Sequence, residues 1–263
     1  MLNKLLKYDL KYMIKNMSIF YILAIFFAIT TRILFSSDDS AIVNIIAQIS
    51  VGCMFAMIAN IIINTAMRSW IRFRDSVYKD EGYLTNTLPV TKNSLYNSKF
   101  IQTLVFFVIG FAVIILSLFI AYYTKDRWIM LKEFINTLTT GLNFKPSFYI
   151  TGMLSVIFLE VFNAIQCGFL GIILGYRQNN NKIGCSIAFG FAAYILSQSI
   201  VLALMFVVAL FDSSVMGLFK SAVAVDSSAY KLLIIISIIL YLFIIFLMST
   251  LCKKFLNKGV NLE

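Results

Sequence analysis

The chain has 263 residues, 60% of them hydrophobic and only 13% charged, with a net charge of +10 and a mean hydropathy of +0.89. A soluble domain covers its core with roughly 25% charged residues, so 12 acids and 22 bases cannot furnish the surface of a water-soluble globule. The composition points to an all-α membrane protein crossing the bilayer several times.

The counts also restrict the chemistry. With no His, the commonest general base, metal ligand and activating partner of a Ser or Cys nucleophile is missing. Cys53, Cys167, Cys185 and Cys252 lie in or at the ends of apolar runs with no CxxC spacing, which leaves neither a zinc site nor a redox pair to read. No GxxxxGK[ST] loop occurs, so the chain does not hydrolyse ATP through a P-loop of its own. No catalytic residue, metal or cofactor is expected, and the chain is not read as an enzyme. The bases flank apolar runs, which fits orientation against anionic lipid rather than binding to nucleic acid.

In chain order, residues 1–16 come first as an amphipathic segment. Lys4, Lys7, Lys11 and Lys15 fall within an arc of about 80° on a helical wheel. Leu2, Leu5, Leu6, Leu10 and Met13 take the opposite side, as in a helix lying in the membrane interface. Asp9 falls among the leucines and calls for a protein partner. No small-residue cleavage site follows, so a removable signal peptide is not expected.

Six apolar stretches are long enough to span, at about 17–36, 41–66, 100–123, 149–176, 183–211 and 231–252. Together they read as a single transmembrane domain over 1–263. An even number of spans puts both termini on one side. That side then holds the four N-terminal lysines, Arg68, Arg72, Arg74, Lys79, Lys92, Lys99, Arg177, Lys182, Lys253, Lys254 and Lys258. The other side holds Arg32, Lys125, Arg127, Lys132, Lys145, Lys220 and Lys231. The bias places both ends in the cytoplasm.

The connection between spans 2 and 3, residues 67–99, is long and lies on the cytoplasmic side. Its first part continues span 2 as a charged helix. Asp80 is expected to cap a new short helix, with Glu81 in its first turn where the dipole favours an acid. Gly82 allows the bend, Pro89 ends the helix, and Thr91 caps span 3. The short helix displays Tyr83, Leu84 and Leu88 to the cytosol.

The run Asp80-Glu81-Gly82-Tyr83-Leu84-Thr85-Asn86-Thr87-Leu88-Pro89-Val90, followed by Ser98-Lys99, resembles the cytoplasmic loop of bacterial type-2 ABC exporter permeases. The N-terminal amphipathic segment is similar to their interfacial elbow helix, and six spans match their layout. The resemblance implies a cell-membrane subunit that pairs with a second permease subunit, identical or different, and with separate ATP-binding-cassette ATPase subunits. It implies that Asp80, Glu81, Gly82, Tyr83, Leu84, Leu88 and Pro89 form a coupling helix seated on the ATPase, and that an amphiphile of peptide, lipid-like or drug-like character is exported. A secondary transporter or a non-transporting membrane scaffold is the alternative.

Within the spans, Glu160 is the one deeply placed acid, near the midplane by helical rise, where an ionisable group is a functional candidate by default. It shares a face with Ala164, Gly168, Gly171 and Gly175, small residues of the kind that mark close helix packing. Asn60 and Asn64, an i,i+4 pair in span 2, join Glu160 as candidates for a translocation path. Interhelical hydrogen bonds are the favoured reading of these amides and of Asn163, Gln166 and Gln198. Span 6, with only Ser237 and Tyr241 as polar groups between 232 and 247, reads as a lipid-facing scaffold. The outer segments 124–148 and 212–230 carry no decisive pattern.

Overall fold

The computed structural model describes residues 2–37, 40–87, 89–123, 129–130, 132–133, 137, 146–211 and 227–259. Among these, seven helices and no strand occur: α1 (Leu2–Ser36), α2 (Ala41–Val77), α3 (Asp80–Thr87), α4 (Lys92–Tyr122), α5 (Pro146–Gly175), α6 (Lys182–Phe211) and α7 (Ser227–Asn257). All except α3 are long and apolar enough to cross a membrane, the architecture of a multi-pass membrane protein. Most of the outer segment 124–148 up to residue 145, and residues 212–226 of the segment 212–230, lie outside the described residues.

Every span outruns its apolar stretch, because helix continues wherever nothing breaks it. The chain has two prolines, and both sit at boundaries. Pro89 lies between α3 and α4, and Pro146 opens α5, where a missing N–H costs nothing. The caps follow the same local chemistry. Ser40 accepts from the Val43 N–H at the start of α2 and Thr91 from the Ser94 N–H at the start of α4, so the sequence-predicted role of Thr91 holds.

One element differs from the sequence reading. The expected interfacial helix over 1–16 is not separate from span 1; from Leu2 onward it belongs to the unbroken α1. No Gly or Pro lies near the junction, and the Asn16 amide donates back to the Tyr12 carbonyl at 2.8 Å, so no break is imposed. The amphipathic pattern itself is kept. Lys4, Lys7, Lys11 and Lys15 are exposed, while Asp9 and Met13 are buried.

The residues fall into two compact units, one comprising α1 to α4 and the other α5 to α7. In the first, α1 packs against both α2 and α4. Met13 and Met17 of α1 meet Phe106 of α4, and Ala28 meets Met54 of α2 and Ala121 of α4. Hydroxyls fasten α1 to α2 where Thr30 and Thr31 meet Ser50 at 2.8 and 3.0 Å. Near the far end of α1, Arg32 donates to the Ile120 carbonyl at 3.5 Å.

In the second unit α5 packs against both α6 and α7, and it is the most buried of the six spans. The small-residue face expected from the sequence is where α6 comes closest. A Cβ on Gly171 would lie 2.5 Å from the Gly190 nitrogen and from the Ser186 carbonyl oxygen. Both atoms are backbone, so neither can swing aside. Gly171→Ala is therefore expected to force α5 and α6 apart and to cost about 1–3 kcal/mol. A lowered thermal midpoint of the purified protein in detergent is the measurement, and an unchanged midpoint would contradict this packing. Span 6 is only partly the lipid-facing scaffold expected. Ile239, Leu242, Phe243 and Phe246 of α7 are exposed, but Ile234, Tyr241, Ile244 and Met248 are buried.

Candidate functional site

The structure gathers charge at one end of the first unit, just outside the apolar stretches. Asp9, 1% exposed, projects from the packed face of α1. It receives Lys99 Nζ at 2.5 Å and Ser98 Oγ at 2.8 Å from the first turns of α4, and Arg72 Nε at 3.0 Å from the extension of α2. A carboxylate so deeply buried persists only if its lone pairs are occupied and its charge met. Three donors from two helices do both. Arg72 does not stop at Asp9. Its Nη1 reaches both oxygens of Glu81 in α3, at 2.8 and 2.6 Å, and its guanidinium stands 5.0 Å from the centre of the Tyr12 ring of α1. One planar cation thus touches α1 and α3 while belonging to α2, a double duty that suits the guanidinium fork.

Beside this cluster lies a buried aromatic group. The Phe73 ring packs edge-on to Tyr96 at 6.4 Å and tilted to Tyr78 at 6.5 Å, and all three side chains are fully buried. They join the end of α2 to the start of α4, so the corner that carries α3 is built on a packed base.

The short helix is a separate element, as expected, with two corrections of detail. It begins at Asp80 itself, so Asp80 is the first helical residue and not the cap. The bend lies one step earlier, at Tyr78 and Lys79, where Tyr78 leaves helical geometry with its N–H still bonded to Arg74 O. Gly82 is therefore not the hinge. It is buried within α3, its N–H bonded to Lys79 O at 2.6 Å. The Thr85 hydroxyl fastens α3 to the Ser76 carbonyl of α2 and sits near Glu81 O and Gly82 O. Tyr83 and Leu84 are 52% and 72% exposed, so they face outward as the sequence suggested. Pro89 is exposed beyond the helix end. Leu88 and the side chain of Asp80 lie outside the described residues.

The intramembrane candidates separate. Asn60 and Asn64 belong to the first unit and Glu160 to the second. The two asparagines do not make the expected interhelical bonds. Asn60 donates to Ala56 O at 2.9 Å and Asn64 to Asn60 O at 3.0 Å, along their own helix, because an Asn amide reaches the carbonyl one turn back. In the second unit the expectation holds for Asn163 and Gln198. Asn163 of α5 donates to the Ser197 hydroxyl of α6 at 3.0 Å, and Tyr241 of α7 to Gln198 Oε1 of α6 at 3.3 Å. Glu160 is half-buried.

No family model matches the chain, and neither a curated protein nor a solved structure is found to be similar to it.

Proposed function

We propose that this chain is the membrane-spanning subunit of an ATP-driven exporter in a bacterial cell membrane, with both termini in the cytoplasm. In this reading α3 is the coupling helix, and a separate ATP-binding-cassette ATPase supplies the energy. A second permease subunit completes the translocation unit. The amphipathic start of α1 acts as the elbow, its four exposed lysines facing lipid headgroups and water.

One observation carries the reading: the tie from Glu81 of α3 through Arg72 to Asp9 of α1, with Lys99 of α4 on the same carboxylate. A helix meant to pass on a partner's movement needs an outward contact and an inward attachment. Tyr83 and Leu84 provide the first, and Arg72 and Thr85 the second. Displacement of α3 then pulls on three spans at once, as rigid-body transmission through packed elements requires. A solvated loop without a partner has no need of such an attachment.

The test is association. The tagged chain, isolated from its native membrane, is expected to bring down a subunit bearing a Walker A sequence, recognised by mass spectrometry and by nucleotide binding. The double variant Tyr83→Asp, Leu84→Asp is expected to lose that subunit while its own expression and thermal midpoint stay unchanged, since both side chains are exposed. Retention of the ATPase by the variant, or absence of any such subunit from the wild-type preparation, overturns the assignment.

A further inference from the structure

One end of the second unit is basic and carries no acid. Residues 176–186 and 250–259 hold Arg177, Lys182, Lys253, Lys254 and Lys258, with neither Asp nor Glu among them. α5 ends at Gly175 and α7 at Asn257, and the two helices pack together, so the residues that follow them meet. The half-buried Phe255 ring of α7 has Arg177 Cζ 5.8 Å and Lys258 Nζ 5.5 Å from its centre. Two cations from the ends of different helices thus stand on one aromatic side chain, which fixes them as neighbours. Beside them, Lys182 Nζ lies 6.0 Å from the ring of the buried Tyr176.

Like charges gathered in this way repel. In the first unit carboxylates offset the repulsion: Asp9 and Glu81 face Arg72, Asp9 faces Lys99, and Asp75 faces Arg74. No carboxylate lies within ion-pair distance of Arg177 or Lys258 among the described residues. The Phe255 ring attracts both cations but neutralises neither. The corner is therefore complementary to an anion from outside the chain.

Depth and the neighbouring surface select the anion. The apolar stretches of these two spans end at 176 and 252, so Arg177 and Phe255 sit just beyond the hydrocarbon, at the level of lipid headgroups. Arg177, Lys254 and Lys258 are exposed. On α7, Phe246, Thr250 and Lys254 are all exposed and follow one another at four-residue spacing, one continuous ridge on the helix surface. That ridge passes from apolar through a hydroxyl to basic, the same order as the acyl chain, ester and phosphate of a phospholipid. A guanidinium fork and an ammonium both suit phosphate oxygens.

We infer that Arg177 and Lys258, held on Phe255, with Lys254 one turn along, form a binding site for the headgroup phosphate of an anionic phospholipid whose acyl chains lie along the exposed face of α7. The site does not depend on the transport reading above.

The test is native mass spectrometry of the full-length chain, delipidated in detergent and titrated with phosphatidylglycerol or phosphatidylcholine of identical acyl chains. The first phosphatidylglycerol is expected to bind at least tenfold more tightly than the first phosphatidylcholine. The double variant Arg177→Gln, Lys258→Gln is expected to lose at least tenfold in phosphatidylglycerol affinity with phosphatidylcholine unchanged, since both side chains are exposed and the fold is kept. The variant Lys4→Gln, Lys7→Gln, Lys11→Gln, Lys15→Gln removes the other exposed basic face and is expected to leave the first phosphatidylglycerol unaffected. Glycerophosphoglycerol, the same headgroup without acyl chains, is expected not to displace the lipid at tenfold excess. Equal affinity for the two lipids, an undiminished phosphatidylglycerol affinity in the monodisperse double variant, or loss of the tight binding in the fourfold lysine variant overturns the site. Displacement by glycerophosphoglycerol overturns the lipid in favour of a soluble phosphodiester. Should the double variant aggregate, Arg177→Gln and Lys258→Gln singly decide, each being expected to weaken phosphatidylglycerol at least threefold and an unchanged affinity in both overturning the site.

Discussion

Asp9→Asn is expected to destabilise the first unit by about 3–5 kcal/mol, the range for removing one member of a buried, hydrogen-bonded charge group. The amide keeps the size of the side chain and can still accept from Ser98 Oγ. It cannot neutralise Lys99, whose side chain is only 3% exposed and has no other carboxylate within ion-pair distance among the described residues. Arg72 suffers less, because Glu81 still holds its Nη1. The burden therefore falls on Lys99, and a cycle isolates it. Lys99→Met alone removes the closest counter-charge of Asp9, and Asp9→Asn with Lys99→Met removes both charges. The double variant is expected to lose less than the sum of the two single losses, since two charges deleted together leave neither stranded. Unfolding midpoints of the purified variants are the measurement. A loss below about 1 kcal/mol for Asp9→Asn, the value of a surface ion pair, would mean that water reaches the cluster and that it does not fasten the helices.

The same cluster shows what the sequence could and could not yield. The six spans are legible because bilayer thickness sets a minimum apolar length, and each expected stretch lies inside an observed helix apart from a residue at one end of α4 and of α5. The helix ends were less legible, since hydropathy falls where polar residues begin while hydrogen bonding continues until a proline or a cap intervenes. Asp9 was visible as an acid on a leucine face. Its partners were not, because they lie 63 and 90 positions away and wheel geometry has no access to contacts between helices. A signal was nevertheless there. An acid on a buried face demands a cation, and charge bias had already placed Arg72 and Lys99 on the side of the membrane that holds Asp9. Gly82 fails for a related reason. Sequence reading assigns a glycine in a loop to the bend, whereas here the bend falls at Tyr78 and needs no special residue, and the glycine lies buried inside the short helix. Hydropathy and spacing favour bonds between helices for Asn60 and Asn64, but an Asn amide can satisfy itself on the preceding turn, as both do here, and a sequence does not distinguish the two.

Arg72→Lys is expected to release α3 while leaving the rest of the first unit folded. The guanidinium makes one bond to Asp9 and two to Glu81; an ammonium on a shorter fork cannot span both carboxylates. Asp9 still has Lys99 and Ser98 and draws the remaining charge inward, so the bond lost is the one to Glu81. Because Glu81 is about half exposed, that loss is small in energy, and global stability is expected to change by no more than about 1 kcal/mol. The local effect is larger. α3 has eight residues, and helices of that length are marginal without tertiary attachment. With Arg72 gone, the Thr85 hydroxyl bond to the Ser76 carbonyl still ties it to α2. Hydrogen exchange of residues 80–87 is expected to accelerate about tenfold, equivalent to about 1.4 kcal/mol of lost local protection, while exchange in the first turns of α1 and α4 stays unchanged. Arg72→Lys combined with Thr85→Val should remove what protection remains. Under the proposed function, the single variant is expected to keep an ATPase subunit bound through Tyr83 and Leu84 while ATP hydrolysis no longer moves cargo. That separation of docking from transport would mark a transmission element. If Arg72→Lys leaves exchange in α3 unaltered, the guanidinium bridge does not hold the short helix, and the proposed coupling would have to run through Phe73, Tyr78 and Tyr96 instead.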